Sequence, residues 1–286
     1  MGDFPANPRG PFALLRKLWD REIVQPLRDV DEESRVFLSS PAARGVDAKV
    51  IITLVTVAVI VTVQHYLDGS GFPWVMRAVG AADLAATFER ATLDPIHGQL
   101  CRLLPFCVLQ SLGFLVPALI VWLVFRERLS DYGTKLTGVL AGWWLYLLMI
   151  AVVMPFVVRA SFHPSFRATY PYYRLAPGEP LWPYLCIWEI AYLLQFFFLE
   201  FFFRGFMLHA TRLRFGCYSI FVMTIPYCMI HFGKPMAETL GAIIAGIALG
   251  FMSLKTRSIW LGTALHVTVA ITMDLLALWH GGQLKW

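Results

Sequence analysis

Apolar residues fill this chain in long unbroken stretches. They do not alternate as in strands, nor form the one-sided stripe of a surface helix. The stretches at 50–66, 100–125, 136–158, 182–212, 217–231, 238–254 and 259–280 carry few charges. A hydrocarbon core of about 30 Å takes about 20 residues of helix to cross. The pattern therefore predicts an all-α, polytopic integral membrane bundle over 48–286, with about seven spans and eight at most. A β-barrel is excluded, because barrel strands alternate. Pro105 and Pro117 fall inside the second stretch as tolerated kinks. Gly246 and Gly250, with Gly241 and Ala245, give the sixth a smooth face for close helix packing. Two pieces between the first and second stretches, Trp74-Val75-Met76-Arg77 and Phe88-Glu89-Arg90, read as interfacial. Tyr170-Pro171-Tyr172-Tyr173-Arg174 reads as part of an aromatic belt.

Residues 1–47 are polar. Within them Phe12, Leu15, Leu18, Trp19 and Ile23 recur at near-helical spacing, which predicts a short amphipathic helix on the membrane surface. A partly ordered cytoplasmic tail is the alternative. No apolar core lies close enough to Met1 to be a signal peptide. Basic loop residues set the orientation. Arg126, Arg128 and Lys135, then Arg212 and Arg214, then Lys255 and Arg257 fall on one side, which places the N-terminus in the cytoplasm. With seven spans the C-terminus lies outside.

Composition sharpens this picture. At 58% hydrophobic and 15% charged residues, a soluble domain is excluded. The net charge of +5 is spread over short loops, which suits an anionic leaflet and not a nucleic acid. Membrane lipid is thus an expected partner. The five cysteines show no metal or disulfide spacing and read as buried small hydrophobes.

Candidate chemistry lies in the polar residues that interrupt the stretches. Glu200 and Arg204 stand inside an aromatic run, four apart and so on one helix face. A charge at membrane depth costs a few kcal/mol and normally faces protein or a wet cavity. His231, His266 and Asp274 are the other interruptions. At 1.5 Å per residue, Glu200 lies roughly 18 Å, His231 roughly 21 Å and His266 roughly 13 Å from the cytoplasmic ends of their helices. Convergence on one water-filled pocket explains three such placements more cheaply than isolated burial. A glutamate beside a histidine can deprotonate water, and a second histidine can support an oxyanion. Glu200, His231 and His266 could also ligate zinc with one open position. No His-Glu-xx-His is present, and neither cofactor nor metal is expected. Structural readings stand beside these: Glu200–Arg204 as an ion pair that stitches helices, His231 as an interface residue, Asp274 as a packing residue. His209 reads as solvated near the cytoplasmic end. Glu238 reads as a first-turn acid of the sixth helix.

The motifs Glu200-xxx-Arg204, Tyr227-xxx-His231 and His266-xxx-Ala270 resemble those of the CAAX protease and bacteriocin-processing family, the type II CAAX prenyl endopeptidases or glutamic intramembrane proteases. Family members carry Glu-Glu-xxx-Arg, an aromatic-xxx-His and His-xxx-Asn on successive helices. The resemblance covers about 182–278. It departs at Leu199, where the family has its first glutamate, and at Ala270, where it has asparagine. Asp274 lies one turn beyond Ala270 and could compensate. The resemblance implies an intramembrane endopeptidase in which Glu200 activates water with His231, His266 supports the oxyanion and Arg204 orients the site. It implies a membrane-proximal peptide or protein substrate, such as a C-terminal sorting or lipidated segment, and a bacterial cytoplasmic (inner) membrane as the setting. A non-catalytic scaffold, immunity or assembly protein is the alternative implied by the two departures. A transporter using the same residues as an ion path is a third reading, against which no duplicated half is visible.

Overall fold

The computed structural model describes residues 13–67, 71–94, 97–175 and 179–284. In chain order, α1 (Ala13–Trp19) runs through a π-helical turn (Asp20–Val24) into α2 (Gln25–Ser39), followed by α3 (Ala48–Leu67). A short pair, α4 (Gly71–Ala78) and α5 (Ala82–Ala91), precedes α6 (Gly98–Leu119), which ends in π-helical Ile120–Phe125. Next come α7 (Trp143–Ser161), α8 (Pro164–Thr169) and α9 (Tyr184–Glu200). The π-helical segment Phe201–Met207 links α9 to α10 (Leu208–Phe215), and α11 (Ser219–Met229), α12 (Met236–Thr256) and α13 (Trp260–His280) complete the chain. No strand occurs among the described residues.

Among the described residues, six helical runs are long and apolar enough to cross a membrane: Ala48–Leu67, Gly98–Phe125, Trp143–Ser161, Tyr184–Met229, Met236–Thr256 and Trp260–His280. The protein is thus an all-α integral membrane protein. Two expected spans differ. The stretch 217–231 forms an α-helix of 11 residues, about 16 Å long, half of what a bilayer core requires. It folds back from α10 at Gly216, whose φ of +55° ends that helix. The third span starts at Trp143, not 136, because Gly138 (φ +76°) and Gly142 (φ +72°) turn the preceding residues out of helical geometry.

Most spans are apolar all round and face lipid on their outer sides. The segment Phe201–Met207 is different: every residue in it is buried. Phe202, Phe203 and Met207 pack with Val57, Met223 and Tyr227, while Phe201 and Phe206 pack with Val121, Tyr132 and Ile259. A helix apolar on every face belongs at the centre of a bundle, and this one carries Arg204 there. The smooth face of α12 meets α11 closely. A Cβ at Gly246 would lie 2.8 Å from Thr224 Cγ2, and one at Gly250 2.9 Å from Met223 Cε.

The N-terminal helix lies against the end of the bundle that carries Arg212, Lys255 and Arg257. Arg257 Nη2 donates to Glu33 Oε1 at 2.7 Å, Arg212 pairs with the same carboxylate, and Lys255 Nζ donates to Glu22 Oε2 at 2.5 Å. Asp31 accepts the Cys217 N–H at 2.7 Å, and Ser34 Oγ donates to the Leu213 carbonyl at 2.9 Å. Leu14, Leu15, Leu18 and Trp19 stay exposed; Phe12 lies outside the described residues. Each of the five cysteines is free and half-buried rather than buried. The expected interfacial pieces form the α4–α5 pair, tied by Arg77 Nη2 to Glu89 Oε2 at 2.5 Å and by the Phe72–Phe88 ring contact.

Candidate functional site

The end of α9 sets the site. Helical register puts Glu200 and Arg204 on one face, and the wide turn that starts at Phe201 carries Arg204 into the core. Such π-helical turns occur disproportionately at functional positions. Glu200 is 1% exposed and Arg204 is fully buried. Glu200 Oε1 lies 3.0 Å from Arg204 Nη1 and 3.0 Å from His266 Nδ1 on α13. These are ion-pair distances without hydrogen-bond alignment: Glu200 Oε1, His266 Nδ1 and all three guanidinium nitrogens make no hydrogen bond.

Two aromatic side chains frame the cluster. The Tyr227 ring lies under the Arg204 guanidinium, 3.8 Å from its carbon, a cation–π contact that partly compensates the buried charge. Tyr227 Oη is 3.1 Å from His266 Nε2. A carboxylate only accepts, so the His266 tautomer that suits both contacts has its proton on Nδ1, toward Glu200, and accepts from Tyr227 at Nε2. Phe196, one turn before Glu200, stacks on His266 at 5.6 Å. His266 is the member that reaches the surface, at 15% side-chain exposure.

Gly262 stands one turn before His266. A Cβ there would lie 2.7 Å from Glu200 Oε2, so a glycine lets α13 approach the carboxylate. His231 packs against Tyr227. Its Nδ1 is 2.9 Å from the Tyr227 carbonyl, and the two rings meet edge-on at 4.9 Å. The carbonyl accepts, so Nδ1 carries the proton and a neutral His231 leaves Nε2 as an acceptor.

Four of the five expected site residues therefore gather: Glu200, Arg204 and His266 in direct contact, His231 through Tyr227. The depth count placed Glu200, His231 and His266 near one level, and of the two imidazoles it is His266 that lies against the carboxylate. Asp274 stands apart. It is eight residues beyond His266, about 12 Å along the helix, and the charges acting on it are those of Glu189 and Arg174. It is 3% exposed, and neither of its oxygens has a hydrogen-bond partner. No group of three His, Cys, Asp or Glu side chains among the described residues is placed to hold a metal ion. Glu238 does lie in the first turn of α12, where Lys234 Nζ (2.8 Å) and Tyr170 Oη (2.9 Å) donate to it.

His209 is not solvated: it is 4% exposed, because α10 is packed between α2, α3 and α11. Sequence reading gave Tyr227 a place in a motif but no role, and missed Gly262 and Ser253. A signal existed for each. Gly262 is one turn from His266, and Ser253 follows Gly246 and Gly250 on the same face of α12.

Fold and site together define a polytopic membrane protein with an acid, a guanidinium and an imidazole sealed against one another between its helices. Residues 180–272, about a third of the chain, match the family model for Type II CAAX prenyl endopeptidase Rce1-like. The match covers less than half of the chain and agrees with the motif resemblance to the type II CAAX prenyl endopeptidases. It spans Glu200, Arg204, Tyr227, His231 and His266 and stops short of Asp274. No curated protein matches the chain. No solved structure matches it either.

Proposed function

We propose that this protein is an intramembrane endopeptidase that cuts a membrane-proximal peptide with water activated by Glu200. The observation that carries the reading is Glu200 Oε1 at 3.0 Å from both Arg204 Nη1 and His266 Nδ1, with the acid and the guanidinium buried and the imidazole reaching the surface. The Glu200 carboxylate takes a proton from water as the water oxygen adds to the scissile carbonyl carbon. The bare Nε2 of His231 accepts the second hydrogen of that water and aims it. Arg204 has guanidinium donors without partners to offer a developing oxyanion. When the C–N bond breaks, the proton held by Glu200 goes to the leaving amine, with His266 Nδ1 stabilising the recovered carboxylate. Asp274 takes no part in this step.

The test uses the full chain purified in detergent. Fluorogenic peptides ending in Cys-aliphatic-aliphatic-X, farnesylated and unmodified, serve as probes. Wild type cleaves one of them; Glu200→Gln and His266→Ala reduce cleavage to background at a temperature where thermal unfolding shows each variant still folded; chelators leave the rate unchanged. Cleavage by Glu200→Gln at the wild-type rate refutes the reading. A scaffold role has one observation in its favour: Leu199, where the family has its first glutamate, packs into the apolar cluster around Phe203 and Tyr227. Cells carrying both substitutions and keeping full function point to that role.

A further inference from the structure

The wide turn Phe201–Met207 has a cost that a neighbouring helix meets. In an α-helix the Leu208 N–H would reach the Arg204 carbonyl. Here it goes instead to the carbonyls of Phe203 and Gly205. The Arg204 carbonyl, deprived of that donor in a dry core, is met from α12: Ser253 Oγ donates to it at 3.0 Å. His209, on α10, places Nε2 3.2 Å from the same hydroxyl. Ser253 has one proton and spends it on Arg204, so it can only accept from His209. That fixes His209 as the Nε2–H tautomer, and Nδ1 is indeed buried without a partner. A second proton on that ring would place an unpaired charge in the core. All three residues are buried: Ser253 at 2%, His209 at 4% and Arg204 at 0% exposure. On the other side, the turn is pressed against the Tyr132 backbone at Gly205, where a Cβ would lie 2.8 Å from the Tyr132 carbonyl oxygen.

The geometry points to His209 and Ser253 as positioning residues, a two-member relay that pins the wide turn so that Arg204 meets Glu200 and Tyr227. This rests on the proposed endopeptidase reading for its catalytic consequence, but not for its structural one. Neither residue touches the carboxylate or a substrate; both act through the Arg204 main chain.

The test has two arms on the full chain in detergent. In the first, hydrogen exchange is followed in wild type, Ser253→Ala, Ser253→Cys and Ser253→Thr. Cysteine keeps the volume with a poor donor, and threonine keeps the hydroxyl. Exchange across 200–210 rises at least 10-fold in the alanine and cysteine variants, returns toward wild type in the threonine variant, and is unchanged across 260–280. In the second, the probe peptides above give a kcat loss of 10-fold or more with KM within 3-fold, in Ser253→Ala and in His209→Phe alike. Unchanged exchange at 200–210 in Ser253→Ala, or a uniform rise over all helices, overturns the relay. If wild type cleaves no probe, the endopeptidase reading fails while the exchange arm still decides the relay.

Discussion

Replacing Gly262 by alanine adds one methyl group at the point where α13 lies closest to the candidate catalytic carboxylate. The new Cβ would sit 2.7 Å from Glu200 Oε2 and 3.4 Å from Glu200 Cδ. Ordinary contact requires roughly 0.6 Å more room than that oxygen allows, given carbon–oxygen separations of about 3.3 Å. The carboxylate has little freedom to yield. Its other oxygen is held at 3.0 Å by Arg204 and His266, and the side chain is 1% exposed. Overpacking of this kind costs about 1–3 kcal/mol, and a displacement of about 1 Å at a reacting group can cost about 100-fold in rate. Gly262→Ala is therefore expected to lower thermal stability and to cut kcat by about 10- to 100-fold. Gly241→Ala, where a Cβ meets nothing within 4 Å, is the matched control and leaves both unchanged. Shortening the acid isolates the cause. In Glu200→Asp the carboxylate retracts by one methylene, so adding Gly262→Ala to it costs less stability than adding it to wild type. Thermal unfolding in detergent over the four-member cycle measures that coupling. Equal costs in the two backgrounds, or a wild-type kcat in Gly262→Ala, refute the placement of Glu200 against α13.

The sealed pair makes a second prediction: Arg204→Met leaves Glu200 as an uncompensated buried charge and destabilises by about 3–5 kcal/mol, whereas Glu200→Leu with Arg204→Met removes both charges and recovers most of that loss. Thermal unfolding compares the two, and a double variant no more stable than Arg204→Met refutes it. Tyr227→Phe removes the hydroxyl at His266 Nε2 but keeps the ring under Arg204, so it lowers kcat by about 10-fold, the scale of one hydrogen bond, with little change in stability; an unchanged kcat shows that the hydroxyl does not set the His266 tautomer. The N-terminal clasp is pH-sensitive. Burial works to raise the Glu33 carboxyl, but Arg257 and Arg212 outweigh it and hold it below 4.5, while the hydrogen bond from Lys255 does the same for Glu22 against its partial burial. A carboxylate whose folded value is depressed contributes stability that is present above the unfolded value and is lost as pH falls through the folded one. Docking of α2, followed by limited proteolysis at 25–39, is thus firm at neutral pH and loosens below about pH 4. Glu33→Gln loosens it at neutral pH and flattens the dependence, and a clasp indifferent to both refutes the assignment.

Hydropathy made the bundle legible because length and continuity of apolar runs are what a bilayer demands. It failed where backbone geometry, not composition, ends a helix. The stretch 217–231 is as apolar as its neighbours, but Gly216 folds it back and its helix stops at Met229. Site residues were legible by the expense of burying charge, which singled out Glu200, Arg204, His231 and His266. Their pairing was not. Counting residues from a helix end fixes height and says nothing of azimuth, so His231 and His266 were indistinguishable as neighbours of Glu200. His209 was misread for the same reason: its height is near the end of the bundle, and the cover that α2 provides depends on Glu22, Glu33 and Asp31, which lie about 180 residues away in the chain. Asp274 shares the expense of burial without sharing the place.

With leucine at 199, Glu200 alone carries the acid at this point of α9. On a regular helix, residues 199 and 200 point about 100° apart, so an acid at one position and an acid at the other meet different neighbours. Here the last regular turn of α9 brings Glu200 to both His266 and Arg204, and Leu199 goes to the apolar cluster with Phe203 and Tyr227. The placement of Glu200 against His266 and Gly262 has a structural consequence that is independent of any substrate. Exchanging the two positions, Leu199→Glu with Glu200→Leu, places the acid beside Phe203 and the leucine against His266 and Gly262. That swap should destabilise the protein by about 3 kcal/mol or more, the cost of an unpaired buried charge. If the exchanged protein is instead as stable as wild type and at least as active, the carboxylate has no need of Gly262 and His266, and the site centres on position 199.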